Sequence, residues 1–165
     1  MIKLLKLIPL ILLITACKSQ VNTEVSISDA WVRENIPGQE VGAAYMTLKS
    51  PIKSTLVYAE AIDAAGSVEI HSMTMNDGVM KMRMLDELPL EPNKPVELKS
   101  GSFHLMLFDL KEPFKAGQKV SFKLCFEDAS GKITEQHITA PHSLGWAVAR
   151  TALALLSVLA LLATV

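Results

Sequence analysis

The chain has 165 residues, with 16 Lys and Arg against 17 Asp and Glu, half of its residues apolar, and two Cys. That suits one domain of ordinary size with terminal extras. The near-neutral charge and 5% aromatics exclude an electrostatic or base-stacking nucleic-acid binder. Two Cys make neither a disulfide-rich miniature nor a four-thiolate zinc site. The unusual feature is methionine: of eight, five lie between Met73 and Met84.

Residues 1–17 read MIKLLKLIPLILLITAC. Lys3 and Lys6 form a charged start, and Leu7–Ile14 an apolar stretch too short to span a bilayer. Ile14-Thr15-Ala16-Cys17 resembles the lipobox of bacterial lipoproteins. The resemblance implies that residues 1–16 are a signal peptide, that Cys17 is lipidated, and that residues 17–26 are a tether. Lys18 after the Cys implies outer-membrane sorting by the same resemblance. An ordinary signal peptide with a chance Cys is the alternative.

Between Val21 and Ala140, short apolar runs alternate with turn residues. Expected strands are Glu24–Arg33, Val41–Lys49, Thr55–Ile62, Ser67–Met75, Val79–Leu85, Val96–Leu98, Phe103–Asp109, Lys119–Glu127 and Ile133–Thr139. Turn signals separate them at Ile36-Pro37-Gly38, Ala65-Gly66, Asn76-Asp77-Gly78, Pro92-Asn93-Lys94-Pro95, Ser100-Gly101, Ala116-Gly117 and Ser130-Gly131. This density of strands and turns predicts an all-β sandwich or barrel over residues 27–140. The alternation from Val120 to Glu127 points Val120, Phe122, Leu124 and Phe126 to the core and Cys125 away from it.

After Pro141 the chain turns apolar, with 15 uncharged residues following Arg150. As helix these measure roughly 22 Å, short of the ~30 Å hydrocarbon core. Residues 141–165 therefore read as an apolar tail forming a membrane-associated or marginally spanning helix. A terminal extension without a role is the bland alternative.

Three strands carry soft or nitrogen donors at period two. His71, Met73 and Met75 share one face; Met80, Met82 and Met84 share another, with Lys81 and Arg83 opposite. His104 and Met106 share a third, opposite Phe103, Leu105 and Leu107. An Asp77-Gly78 type I′ hairpin would set Met75 opposite Met80, Met73 opposite Met82 and His71 opposite Met84. A bulged three-residue loop would shift that register.

Taken alone, the Met80, Met82 and Met84 stripe reads as a buried core face, because Met fills gaps well. His104 and Met106 tip the balance, since the interior claims the other side of their strand. Imidazole and thioether without thiolate or carboxylate favour Cu(I) among biological cations. Zinc prefers Cys, His or carboxylate, and calcium and magnesium need several oxygens.

His71, Met82, His104 and Met106 reproduce the spacing His-x10-Met-x21-His-x-Met of the periplasmic copper chaperone family PCu(A)C. The surrounding residues resemble it as well: Val68-Glu69-Ile70-His71, Asp77 to Arg83, Gly101 to Leu107, Leu110 to Pro113, Ala30 to Arg33, and Ala43 to Thr47. The likeness spans roughly Ile27 to Ile138. It implies a cupredoxin-like Greek-key β-sandwich that binds Cu(I) through those four residues, with Met73 and Met84 as near bystanders. It further implies a lipid-anchored periplasmic carrier exchanging copper with envelope donor or acceptor proteins, notably in cytochrome oxidase copper-site assembly.

Two rival readings stand beside it. A blue-copper electron carrier needs a thiolate with two imidazoles, and the spacings of Cys125, His137 and His142 do not suit a compact ligand loop. A structural lipoprotein would use the Met face for contact and retain no metal. An enzyme is the poorest fit: no nucleophile elbow, phosphate loop, dinucleotide fingerprint or His-Glu-x-x-His occurs, and adjacent Asp86 and Glu87 alternate faces.

Overall fold

The computed structural model describes residues 23–143 except Glu34, Ile36, Pro37, Lys115 and Ala116. The expected signal segment, Cys17 and most of the tether lie outside the described residues, as does the tail beyond Ser143. So do parts of the turns expected at Ile36-Pro37 and Ala116.

Among the described residues ten strands form: β1 Ser26–Arg33, β2 Gly42–Lys49, β3 Ser54–Ile62, β4 Ser67–Asn76, β5 Val79–Leu85, β6 Leu88–Leu90, β7 Val96–Leu98, β8 His104–Phe108, β9 Lys119–Asp128 and β10 Ile133–Ser143. No helix occurs among the described residues. One layer runs β5-β4-β8-β2-β1, with β7 also on β2; the other runs β10-β9-β3-β6. The parallel pairing Val32↔His142 and Arg33↔Ser143 joins the layers. Most neighbours are distant in sequence, which is the Greek-key habit of β-sandwiches.

The core is where the alternating residues of the two layers meet. Val32, Met46, Leu48, Leu105 and Leu107 come from one layer, and Leu56, Phe122 and Leu124 from the other. Val120, Phe122, Leu124 and Phe126 all face inward, as their alternation predicts. Cys125 points outward yet is buried, since β3 bulges between Leu56 and Tyr58 and sets Tyr58 opposite it.

One strand is unexpected and one runs well past its expected end, while the other strand ends agree within two residues. β6 is absent from the sequence reading because it is three residues long with Pro89 at its centre; it survives as the outermost strand, where a missing N–H is tolerated. β10 runs on through Pro141 to Ser143 because β9 pairs with it as far as Lys119 and β1 takes over at His142.

Candidate metal centre

The β4–β5 hairpin has the register that a two-residue turn requires. Asn76 pairs with Val79, and Asp77 and Gly78 take φ of 50° and 77°, as a type I′ turn demands. Met75 then faces Met80, Met73 faces Met82 and His71 faces Met84. The pair closing such a turn exchanges hydrogen bonds, so these three alternate rungs are the non-hydrogen-bonded ones, where side chains approach most closely.

The hairpin reaches past the core. No residue of β5 is buried, and Met80, Met82 and Met84 are 59%, 45% and 56% exposed. The reading of that stripe as a core face is therefore corrected. Periodicity identifies a common face, but nothing among the described residues packs over this one.

β8 lies on the other side of β4 and brings in the second donor pair. His71 and His104 are direct cross-strand partners, with ring centroids 5.9 Å apart. Met106 is half-buried and stands opposite Glu69. Leu105 and Leu107 take the core side of β8, so His104 and Met106 lie on the outer face of the layer. His104 is nonetheless only 5% exposed. The turn Lys99–Phe103 closes over this face, held by Lys99 N–H to the Phe103 carbonyl at 2.7 Å and Ser102 N–H to the Lys99 carbonyl at 3.1 Å.

The Ser102 carbonyl accepts from Met73 N–H and from His104 Nδ1, both at 3.1 Å. A carbonyl only accepts, so the His104 proton sits on Nδ1 and Nε2 keeps its lone pair. Burial pushes the His104 imidazole below its ordinary range, against the opposing pull of that carbonyl. The ring thus stays neutral and available to a metal. At His71, Nε2 donates to Glu69 Oε2 at 2.8 Å, while Nδ1 is buried with no hydrogen-bond partner. Each imidazole has one ring nitrogen fixed by a neighbour, the arrangement seen in metal-ligating histidines.

Met73, Met82, His104 and Met106 line one open cavity of about 280 Å³, together with Arg33 and Tyr45. His71 is outside that lining, beside the His104 ring. Trp31 packs against the Tyr45 ring with centroids 4.5 Å apart, and the Arg33 guanidinium lies 5.3 Å from the centre of that Tyr45 ring. The β1 bulge at Asp29 places Trp31 opposite Tyr45. Of the expected bystanders, Met73 reaches the cavity and Met84 does not.

Glu69, Ser102, Tyr45 and Arg33 escaped the sequence reading. Glu69 was the accessible one, since it lies two residues before His71 on the same strand face. Among the described residues no three His, Cys, Asp or Glu converge in metal-binding geometry. The donor set is therefore one of imidazole and thioether, which fits Cu(I) better than zinc. The blue-copper set is not assembled: His142 sits on the inward side of β10, against Phe114 at 4.3 Å, while Cys125 faces outward on β9.

The LpqE-like family model, described as "Putative lipoprotein LpqE-like", matches residues 25–138. "Putative lipoprotein Lxx21020" of Leifsonia xyli subsp. xyli is 32% identical over 108 residues, covering 64% of this chain. The chain spans 64% of that relative's length, less than two thirds. Among solved structures, the copper-bound PCuAC domain from PmoF2 superposes with a TM-score of 0.59 at 21% identity, over 76% of this chain and 97% of that one. At that identity the likeness is one of fold. Cu(I)-DR1885 from Deinococcus radiodurans superposes with a TM-score of 0.56 at 26% identity, over 79% of this chain and 85% of that one.

Proposed function

The chain belongs to the LpqE-like family and has the fold of PCuAC domains, and on that premise we propose that it is a Cu(I) carrier of the bacterial envelope. His71, Met82, His104 and Met106 hold the ion. The observation that carries this reading is the cross-strand His71–His104 pair, set beside a cavity lined by Met82, His104 and Met106. The likeness to Cu(I)-DR1885 supports the metal and its oxidation state.

None of the four side chains brings a formal negative charge, and Glu69, bonded to His71, supplies a countercharge one layer out. Such a site shields the ion while leaving it open to ligands from another protein. Met82 is 45% exposed and His104 is 5% exposed. An incoming Cys or His therefore meets the metal from the Met82 side and displaces that thioether first, with the imidazoles released last. The work is ligand exchange and not catalysis.

The relatives' description as lipoproteins supports a lipid anchor in the envelope, which Cys17 would carry; a periplasmic location and outer-membrane sorting from Lys18 rest on the lipobox and PCu(A)C resemblances alone. The apolar residues 141–165 would add a second membrane contact. Copper donors and acceptors of the envelope, cytochrome oxidase assembly proteins among them, are the partners that the PCu(A)C resemblance implies.

The test is anaerobic titration of Cu(I) against a competing chelator. One tight equivalent is expected, weakened at least about tenfold in Met82→Ala and in His104→Ala. Unchanged affinity in both variants, or no retained copper in the wild type, refutes the reading.

A further inference from the structure

Four methionines of the β4–β5 hairpin stand largely in solvent: Met75 at 65%, with Met80, Met82 and Met84. Packing does not account for them, since β5 buries no residue. Strand propensity does not either, because exposed strands favour β-branched and aromatic residues. What the five hairpin methionines share is a side. Met75–Met80 and Met73–Met82 are successive close rungs, and His71–Met84 is the next. Rungs two residues apart are roughly 7 Å from one another. Lys81 and Arg83 project from the opposite face.

We propose that Met75 and Met80, at the outer end of this ladder, form a second and weaker Cu(I) station, from which the ion steps through Met73 and Met82 to the imidazole pair. The inference rests on the copper reading above and extends it to residues beyond those four ligands. Cross-strand partners at a close rung have Cβ atoms about 5 Å apart. Unbranched Met chains with three rotatable bonds can turn two sulfurs onto one ion from there. Two neutral soft donors without imidazole hold Cu(I) more loosely than the inner set, so the gradient runs inward. Met73 and Met82 line the inner cavity and Met75 and Met80 do not, so the middle rung bridges the two stations. Each step exchanges one neutral donor for another at Cu(I), thioether for thioether along the ladder and thioether for imidazole at its end; no electron or proton moves, and the copper stays in the same oxidation state.

The experiment follows the methionine methyl resonances of the full chain, labelled at the methionine methyl carbon, during anaerobic addition of Cu(I). The first equivalent is expected to shift Met82 and Met106, and a second, weaker equivalent Met75 and Met80. In the Met75→Leu, Met80→Leu double variant the first equivalent remains and the second is lost. A wild type in which Met75 and Met80 never shift overturns the proposal, as does a double variant that still takes the second equivalent. Failure of the first equivalent to shift Met82 and Met106 instead refutes the inner site, and the two failures are separable in one titration.

Discussion

His71 and His104 face each other across β4 and β8 with ring centroids 5.9 Å apart, and each ring has one nitrogen fixed by a neighbour: Glu69 for His71, the Ser102 carbonyl for His104. The two supports differ in kind. The Ser102 support is backbone and survives any side-chain change, whereas the Glu69 support also supplies a negative charge beside the proposed metal site.

Replacing Glu69 by Gln keeps a hydrogen-bonding group of the same size and removes that charge. Cu(I) affinity, read by chelator competition, is expected to fall about tenfold, while the urea midpoint stays near wild type. Undiminished affinity would show that the Glu69 charge contributes nothing to holding the ion.

The methionines separate into two classes by burial, and stability should separate them likewise. Met46 is 2% exposed and sits in the core, so Met46→Ala should cost about 2–5 kcal/mol. Met84 is 56% exposed, and Met84→Ala should change stability by less than about 0.5 kcal/mol. Urea unfolding measures both. A large cost at Met84 would mean that the hairpin face is covered after all.

Gly78 occupies a left-handed position at φ 77°, with open space where a Cβ would stand. Gly78→Ala therefore pays only for backbone conformation, about 1–2 kcal/mol. Hydrogen exchange across the hairpin should accelerate while amides in β9 and β3 keep their protection. Uniform loss of protection would show that the hairpin folds as one unit with the sandwich.

His142 is buried against Phe114, and neither ring nitrogen has a hydrogen-bond partner among the described residues. Burial pushes its pKa below the ordinary histidine range, so the unfolded chain takes up the proton more readily than the folded one. Its contribution is complete above about pH 6.5 and is lost as the pH falls below that value. The urea midpoint of the metal-free protein should drop between about pH 7.5 and pH 5.5. His142→Leu should flatten part of that drop, His104 supplying the remainder in the same direction. An equal drop in the variant would place the acid sensitivity elsewhere.

The hairpin register was legible because Asp77-Gly78 favours a two-residue turn over the bulged three-residue alternative, and the turn fixes every rung behind it. The direction of Met82 was legible by the same logic, but its exposure was not. A period-two stripe looks alike whether a second layer covers it or the strand runs out beyond the core. The burial of His104 was hidden for a related reason: its cover is the Lys99–Phe103 turn, a local fold-back whose direction the residue pattern does not state. Cys125 was placed on the right face, while its cover by Tyr58 depends on a bulge in β3 that carries no sequence mark. The parallel β1–β10 join brings together strands from the two ends of the domain, and no local signal encodes such a pairing.

X-ray absorption at the copper edge, on the full chain loaded with one equivalent of Cu(I), tests the central claim most directly. Sulfur and nitrogen scatterers in equal number around a reduced ion are the predicted result, with one sulfur lost in Met82→Leu. A first shell of oxygen and nitrogen alone, or a sulfur count untouched by that substitution, would contradict the account.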